Sequence, residues 1–157
     1  MTRFEIRRAQ PTDMDELARL WLERRDVYLK NQALHEPRQE EAWRAAVQHW
    51  ITREDAAVLV AERDAQLIGY MVGWVRENLP QVEPTQFGLV SEMSVDGHCK
   101  QGGVGSALLQ EMKTWFAERK LTWVEVRVPT LQPIEQAFWR SVGAQDYRDH
   151  LALRLRP

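Results

Sequence analysis

The stretch from Ser91 to Leu109 constrains this chain more than any other. It reads as a strand ending at Val95, a polar loop Asp96-Gly97-His98-Cys99-Lys100-Gln101, and then Gly102-Gly103-Val104-Gly105-Ser106 opening a helix. The first turn of a helix leaves backbone N–H groups without partners at the positive end of the helix dipole. Glycines there keep side chains away from those donors. The ligand such a start suits is an anion of the pyrophosphate kind, and Lys100 adds a positive charge beside it.

Around this segment the hydrophobic pattern alternates between the two periods. Phe4 to Arg8 alternates as a half-buried strand, and Thr12 reads as the N-cap of a first helix with Met14, Leu17, Leu20 and Trp21 on one face, continuing toward Tyr28. Pro37 opens a second helix carrying Trp43, Val47 and Trp50, ending near Thr52. Strands are expected at Ala57 to Glu62, Leu67 to Val75 and Phe87 to Val95, the first two forming a hairpin. The glycine-opened helix runs from Gly103 to Arg119, followed by a strand at Trp123 to Val128, a helix at Pro133 to Val142 closed by Gly143, and a last strand at Tyr147 to Leu155. At 157 residues, this is the content of one α/β domain without repeats or linkers.

Charge and cysteine use exclude other classes. The 21 basic residues nearly balance the 23 acidic ones, so the footprint of a nonspecific nucleic-acid binder is missing. Cys99 is the only cysteine, and His49 and His150 lack ligand spacing, so neither a disulfide nor a metal site is expected. The longest apolar run, Leu67 to Val75, is too short to span a bilayer, and Met1 to Glu5 lacks a signal-like apolar stretch. A cytoplasmic protein is the expectation.

Two phosphate-binding patterns compete for the glycines. Gly103-Val104-Gly105 followed by Leu108 half fits the dinucleotide fingerprint, with Glu125 as a candidate ribose acid, but six polar residues separate the strand from the first glycine. No Lys-Ser/Thr pair follows the last glycine, which excludes a Walker loop.

The run Lys100-Gln101-Gly102-Gly103-Val104-Gly105-Ser106-Ala107-Leu108-Leu109 resembles the acyl-CoA signature of the GNAT superfamily of N-acetyltransferases, Arg/Gln-x-x-Gly-x-Gly/Ala. The element order is similar to that superfamily over essentially the whole chain. The resemblance implies one GNAT-type domain: a mixed, mostly antiparallel, twisted sheet with helices on both faces and a cleft where the fourth and fifth strands splay. It also implies acetyl-CoA as cofactor, its pyrophosphate held by Lys100 and the backbone from Gln101 through Gly102, Gly103, Val104 and Gly105 to Ser106, and its pantetheine arm paired with main chain of Met93, Ser94 and Val95. A second patch, Gln132 through Ala144, is similar to the family's Asn-x-x-Ala-x-x-Phe-Tyr-x-x-x-Gly-Phe. Phe138 and Gly143 match; Gln132 stands at the cofactor-contacting Asn, Glu135 replaces Ala, Ala144 replaces Phe, and Trp139 stands where a Tyr commonly protonates the departing thiolate. An indole has no acidic O–H to give.

The implied reaction is direct attack of a primary amine on the thioester of acetyl-CoA. A Lys-like ammonium, with a pKa of about 10.4, needs a base or a desolvating pocket at neutral pH. Glu92 is the candidate base, acting through water, with Glu92 and Ser94 on one strand face and Met93 and Val95 on the other. A main-chain N–H near Met93 is the candidate oxyanion donor. A Cys-like leaving group, pKa about 8.5, departs as the anion, and Tyr147, Ser141 or water remain as proton donors. His98 and Cys99 are expected in an exposed loop, His35 and Glu36 in a turn, and Glu77 and Glu83 as solvated charge. The acceptor is a small-molecule or peptide amine of open identity, and a homodimer is compatible with the resemblance. The alternatives are a non-catalytic acyl-CoA-binding or regulatory module, which Trp139 motivates, and, more remotely, a dinucleotide-dependent enzyme.

Overall fold

The structure, a computed structural model, describes residues 3–30, 39–99, 102–153 and 155, with backbone alone for 27–30. The sequence-based roles of Tyr28, His35, Glu36, Lys100 and Gln101 therefore fall outside what is described, as does the start of the second helix at Pro37.

Strand β1, Glu5–Arg8, leads through a 3-10 turn at Pro11–Asp13 into helix α1, Met14–Lys30. Thr12 lies inside that turn instead of capping the helix. Asp13 does the work, its carboxylate accepting the Gln10 N–H at 2.7 Å and two bonds from the Arg7 guanidinium at 2.8 Å. Helix α2 spans Glu40–Ile51. Strands β2, Ala56–Arg63, and β3, Gln66–Glu77, form the expected hairpin. Asp64 and Ala65 at its tip both take positive φ, 52° and 62°, a backbone twist that suits a two-residue hairpin. Then follow β4, Gln86–Val95, α3, Val104–Glu118, β5, Val124–Val126, and α4, Pro133–Ser141.

The strands lie in the order β1-β2-β3-β4-β5, all neighbours antiparallel except β4 and β5. This is the mixed, mostly antiparallel sheet expected. Alternation divides its side chains between two cores. Val58, Val60, Tyr70, Val72 and Trp74 pack with Leu17, Leu20, Trp21, Trp43 and Val47 of α1 and α2. Ala57, Leu59, Met71 and Val90 pack with Val104, Leu108, Met112 and Phe116 of α3 and Trp139 of α4 on the other face. Glycines let α3 approach closely: a Cβ on Gly88 would lie 2.8 Å from the Phe116 ring, and one on Gly73 would overlap Met112.

One expected element does not form. Tyr147 to Leu155 carries apolar residues at alternate positions, yet its described residues contain no strand, and Leu151, Leu153 and Leu155 are 95%, 85% and 90% exposed. A strand needs a neighbour's backbone edge, and β5 offers three residues instead of the six expected at Trp123 to Val128.

Candidate active site

The site is set by an irregularity in β4. Pairing with β3 runs Gly73 to Val90 and then Val72 to Glu92, which leaves Ser91 as an extra residue in the strand. The bulge brings two consecutive polar residues to the α1/α2 face. Trp74 Nε1 donates to Ser91 Oγ at 2.9 Å, and Glu92 accepts from Trp43 Nε1 at 3.2 Å and from Tyr70 Oη at 2.9 Å. Plain alternation from Leu89 and Val90 would have sent Glu92 to the opposite face. Beyond the bulge alternation resumes as expected, with Ser94 Oγ donating to Leu20 O at 3.0 Å, while Met93 and Val95 pack on the α3 side.

The bulge also marks where the sheet parts. β5 pairs with β4 only from Gly88 to Val90, closing with an Arg127 N–H that donates to Val90 O at 3.2 Å. Past that point lies an open cleft of about 2480 Å³, lined by Ser91, Glu92, Trp43, Trp139 and Tyr147 among others. The Asp96 N–H donates to Ile68 O, so the ladder alternation turns main chain of Ser94 and Glu92 toward β3 and that of Met93 and Val95 toward the open side. Arg24 of α1 reaches across, its Nε donating to Met93 O at 3.1 Å and its Nη2 lying 3.8 Å from Glu135 of α4.

The electrostatics around Glu92 follow from burial. Trp43 and Tyr70 are 2% and 0% exposed, so their polar hydrogens have no water to turn to and are committed to the carboxylate. Burial first, and then the Glu92 charge, push the Tyr70 phenol well above its ordinary range, which keeps it a donor. Trp21 stacks on Trp43 with ring centroids 4.9 Å apart, fixing the indole that holds Glu92.

Apart from the residues lining this cleft stands the start of α3. Gly103, its N-cap, has φ 77°, a left-handed conformation that favours glycine, and a Cβ there would meet nothing within 4 Å. No side chain caps this helix and no acidic residue sits in its first turn. Gly105 faces Phe138 and Met93, where a Cβ would lie 3.1 Å from the Phe138 ring and 3.6 Å from Met93 Sδ. These open donors, with a Trp139 Nε1 that is buried and unpartnered beside the cleft, fit an acyl-CoA: the helix start suits the diphosphate, and the indole N–H suits an amide carbonyl of the arm.

Met93, Val95, Gly102, Gly103, Val104, Gly105, Ser106 and Trp139 thus come to the α3 side, and Glu92 to the other. Gln132 is buried as the N-cap residue of α4. Tyr147 lines the cleft half exposed, with Arg148 Nη2 donating to its hydroxyl at 3.1 Å, whereas Ser141 Oγ donates to Phe138 O within its own helix. Cys99 departs from the exposed loop expected of it: it is buried, and Arg63 Nη2 lies 3.0 Å from its sulfur. His98, Glu77 and Glu83 are exposed as expected. Among the described residues no group of His, Cys, Asp and Glu could hold a metal ion, and no helix is long and apolar enough to cross a membrane.

Tyr70, Trp74, Ser91 and Arg24 were missed from sequence. The substitution of Glu135 for the family's Ala was the one available signal, since a carboxylate added at a cofactor-facing helix calls for a cation nearby, and Arg24 is that cation.

No curated protein matches the chain significantly. Among solved structures, aminoglycoside antibiotic 6'-N-acetyltransferase AAC(6')-Ih from Acinetobacter baumannii is similar at TM-score 0.80 and 15% identity, covering 99% of both chains. Aminoglycoside N-acetyltransferase AAC(6')-Iy in complex with CoA is similar at TM-score 0.81 and 15% identity, covering 100% of this chain and 97% of that one. A tetramutant of the BH1408 protein from Bacillus halodurans reaches TM-score 0.80 at 21% identity, covering 96% and 99%. The model of the Acetyltransferase (GNAT) family matches residues 15–144, which takes in α1, the bulged β4, the glycine-opened helix and α4, so the chain belongs to the GNAT family and is an acetyl-CoA-dependent acyltransferase.

Proposed function

We propose that the protein transfers the acetyl group of acetyl-CoA to a primary amine by direct attack, with Glu92 as the base. The observation that carries this reading is the Glu92 carboxylate, placed by the β4 bulge at the point where β4 and β5 part and held there by Tyr70 and Trp43. Bound acetyl-CoA supplies an activated acetyl carbon with a thiolate leaving group. The backbone N–H groups from Gly102 to Ser106 hold its diphosphate, with Lys100 and Gln101 preceding them in the chain. Met93 and Val95 present main chain to its extended arm as a sheet edge presents itself to an added strand, while Ser94 serves through its place in the strand. Gln132 and Trp139 complete that wall from α4.

Glu92 takes the proton from the amine nitrogen, directly or through one water, as the C–N bond forms and the C–S bond breaks. The Met93 N–H faces the open side and stabilises negative charge on the carbonyl oxygen. Tyr147 returns a proton to the sulfur. Its place in the cleft wall favours it over Ser141, whose hydroxyl is engaged by its own helix. That the solved structures of similar fold include aminoglycoside N-acetyltransferases agrees with an amine acceptor.

Release of free CoA thiol in the presence of amines tests the reading, with calorimetry of acetyl-CoA binding in parallel. Glu92→Gln is expected to lower kcat by about 10²–10⁴-fold, the range for general base catalysis, with acetyl-CoA affinity nearly unchanged. Unaltered turnover across neutral pH in that variant would remove Glu92 from the mechanism. Tight acetyl-CoA binding without transfer to any amine would favour the binding module instead.

A further inference from the structure

The acceptor side of the cleft holds buried polar atoms of charged side chains that have no hydrogen-bond partner, and they are of both signs. Arg25 of α1 lies over the Trp21 ring at 5.3 Å, and its Nε is buried without a hydrogen-bond partner. Arg76 of β3 lies over the Trp74 ring at 4.4 Å. Neither makes an ion pair among the described residues. Asp55, whose charge Arg76 does feel, is gripped by Arg53 through two bonds of 2.7 Å. On the acidic side, Glu125 Oε1 is buried with no hydrogen-bond donor, the Arg148 guanidinium acting on it through charge alone. In the parallel pairing Glu125 stands beside Leu89, a residue of the α1/α2 core, and so shares the face that carries Ser91 and Glu92. Arg25, Arg76, Glu125, Ser91 and Glu92 all line the one cleft.

A buried guanidinium N–H and a buried carboxylate oxygen without partners each cost free energy until something pairs with them. A polycationic amine would satisfy Glu125 and Glu92 but be repelled by Arg25 and Arg76. A simple alkylamine would leave both arginines as they are. An acceptor that carries an ammonium and a carboxylate satisfies both sets, and planar guanidiniums suit a carboxylate's two oxygens. Arg76 rests on the Trp74 indole that bonds Ser91, and Arg25 on Trp21, which stacks on the Trp43 that bonds Glu92, so the acceptor's body would meet aromatic surface.

Resting on the acetyl-transfer reading above, we propose that the acceptor is a zwitterionic amine of the amino-acid class, its amine directed to Glu92 and Glu125 and its carboxylate held by Arg25 and Arg76. The test is a panel of paired amines at fixed acetyl-CoA: phenylalanine against phenethylamine, tryptophan against tryptamine, leucine against isoamylamine, with spermidine as polycation. For the preferred pair, kcat/KM is expected to be at least tenfold higher for the amino acid than for its decarboxylated partner. Arg25→Gln and Arg76→Gln are each expected to raise KM for the amino acid and collapse that ratio toward one. Preference for spermidine or for the decarboxylated amines, or acetyl-CoA binding with no amino acid turned over, overturns the zwitterion. Failure to bind acetyl-CoA at all overturns the underlying reading instead, so the two failures are distinguishable.

Discussion

The two faces of the sheet solve different problems with different materials. Toward α3 the strands are thinned by glycine, with Gly69, Gly73 and Gly88 lying under Val104, Met112 and Phe116, and the helix start presents bare backbone. Toward α1 and α2 the sheet is thick with indoles, and Trp21, Trp43, Trp50 and Trp74 surround the polar residues of the β4 bulge. On the proposed reading the first face serves main-chain hydrogen bonds, which any diphosphate can use. The second is made of side-chain functional groups, which discriminate. A cofactor shared across a family and an acceptor particular to one member place these two demands on one strand.

The largest expected effect falls on the glycine face. Gly103→Glu forces a side chain into a left-handed position and sets like charge against the diphosphate; titration calorimetry should record acetyl-CoA affinity falling at least ~100-fold, about 2.7 kcal/mol. Gly103→Asn, which tolerates that conformation and adds no charge, should retain much of the affinity. Equal losses in both would mean that shape alone, and not the electrostatics of the helix start, makes the site.

Next comes the thinning of the sheet itself. Gly88→Ala drives a methyl group into the Phe116 ring, a rigid and buried neighbour, and should destabilise the fold by roughly 1–3 kcal/mol in urea unfolding. Gly73→Ala meets the thioether tip of Met112, which can rotate away, so its cost should be smaller. The reverse order would show that α3 shifts as a body more readily than one methionine turns.

The smallest effect joins the two faces. Asp96, at the end of β4, accepts the His98 N–H at 2.9 Å and a bond from Arg19 of α1 at 3.0 Å. The His98 N–H first, and Arg19 after it, hold the carboxylate below its usual range. A depressed carboxylate contributes its stability above the unfolded value, about 3.9, and loses it as pH falls through the lower folded value. Asp96→Asn should therefore lower stability by about 1 kcal/mol at pH 7, and the gap to wild type should shrink as the unfolding series is carried into acid below about pH 3. A gap that persists undiminished there would assign Asp96's part to shape instead of charge.

What could be read from the sequence divides along the same line. A helix start with bare backbone donors leaves a local trace, because glycines are what it requires, and Gly102, Gly103 and Gly105 carry that trace. Glu92 was legible from its place before Met93 in an apolar strand. Its partners were not, since Trp43 and Tyr70 lie 49 and 22 residues away and only folding brings them together. Trp43 read as core, and it is core, at 2% exposure, while its ring N–H holds the Glu92 carboxylate. The last expected strand does not form among the described residues, because alternation reports which face a residue prefers and says nothing of whether a neighbouring edge exists.

A surplus of one residue has consequences that reach past the side chains it displaces. A strand with an odd member bends and twists away from a straight partner, so β5 cannot follow β4 beyond Val90. The opening in the sheet is then a matter of counting. Were Ser91 spliced out, the two strands could zip onward and seal the furrow, and the Glu92 carboxylate would keep its face of the sheet with no opening beside it.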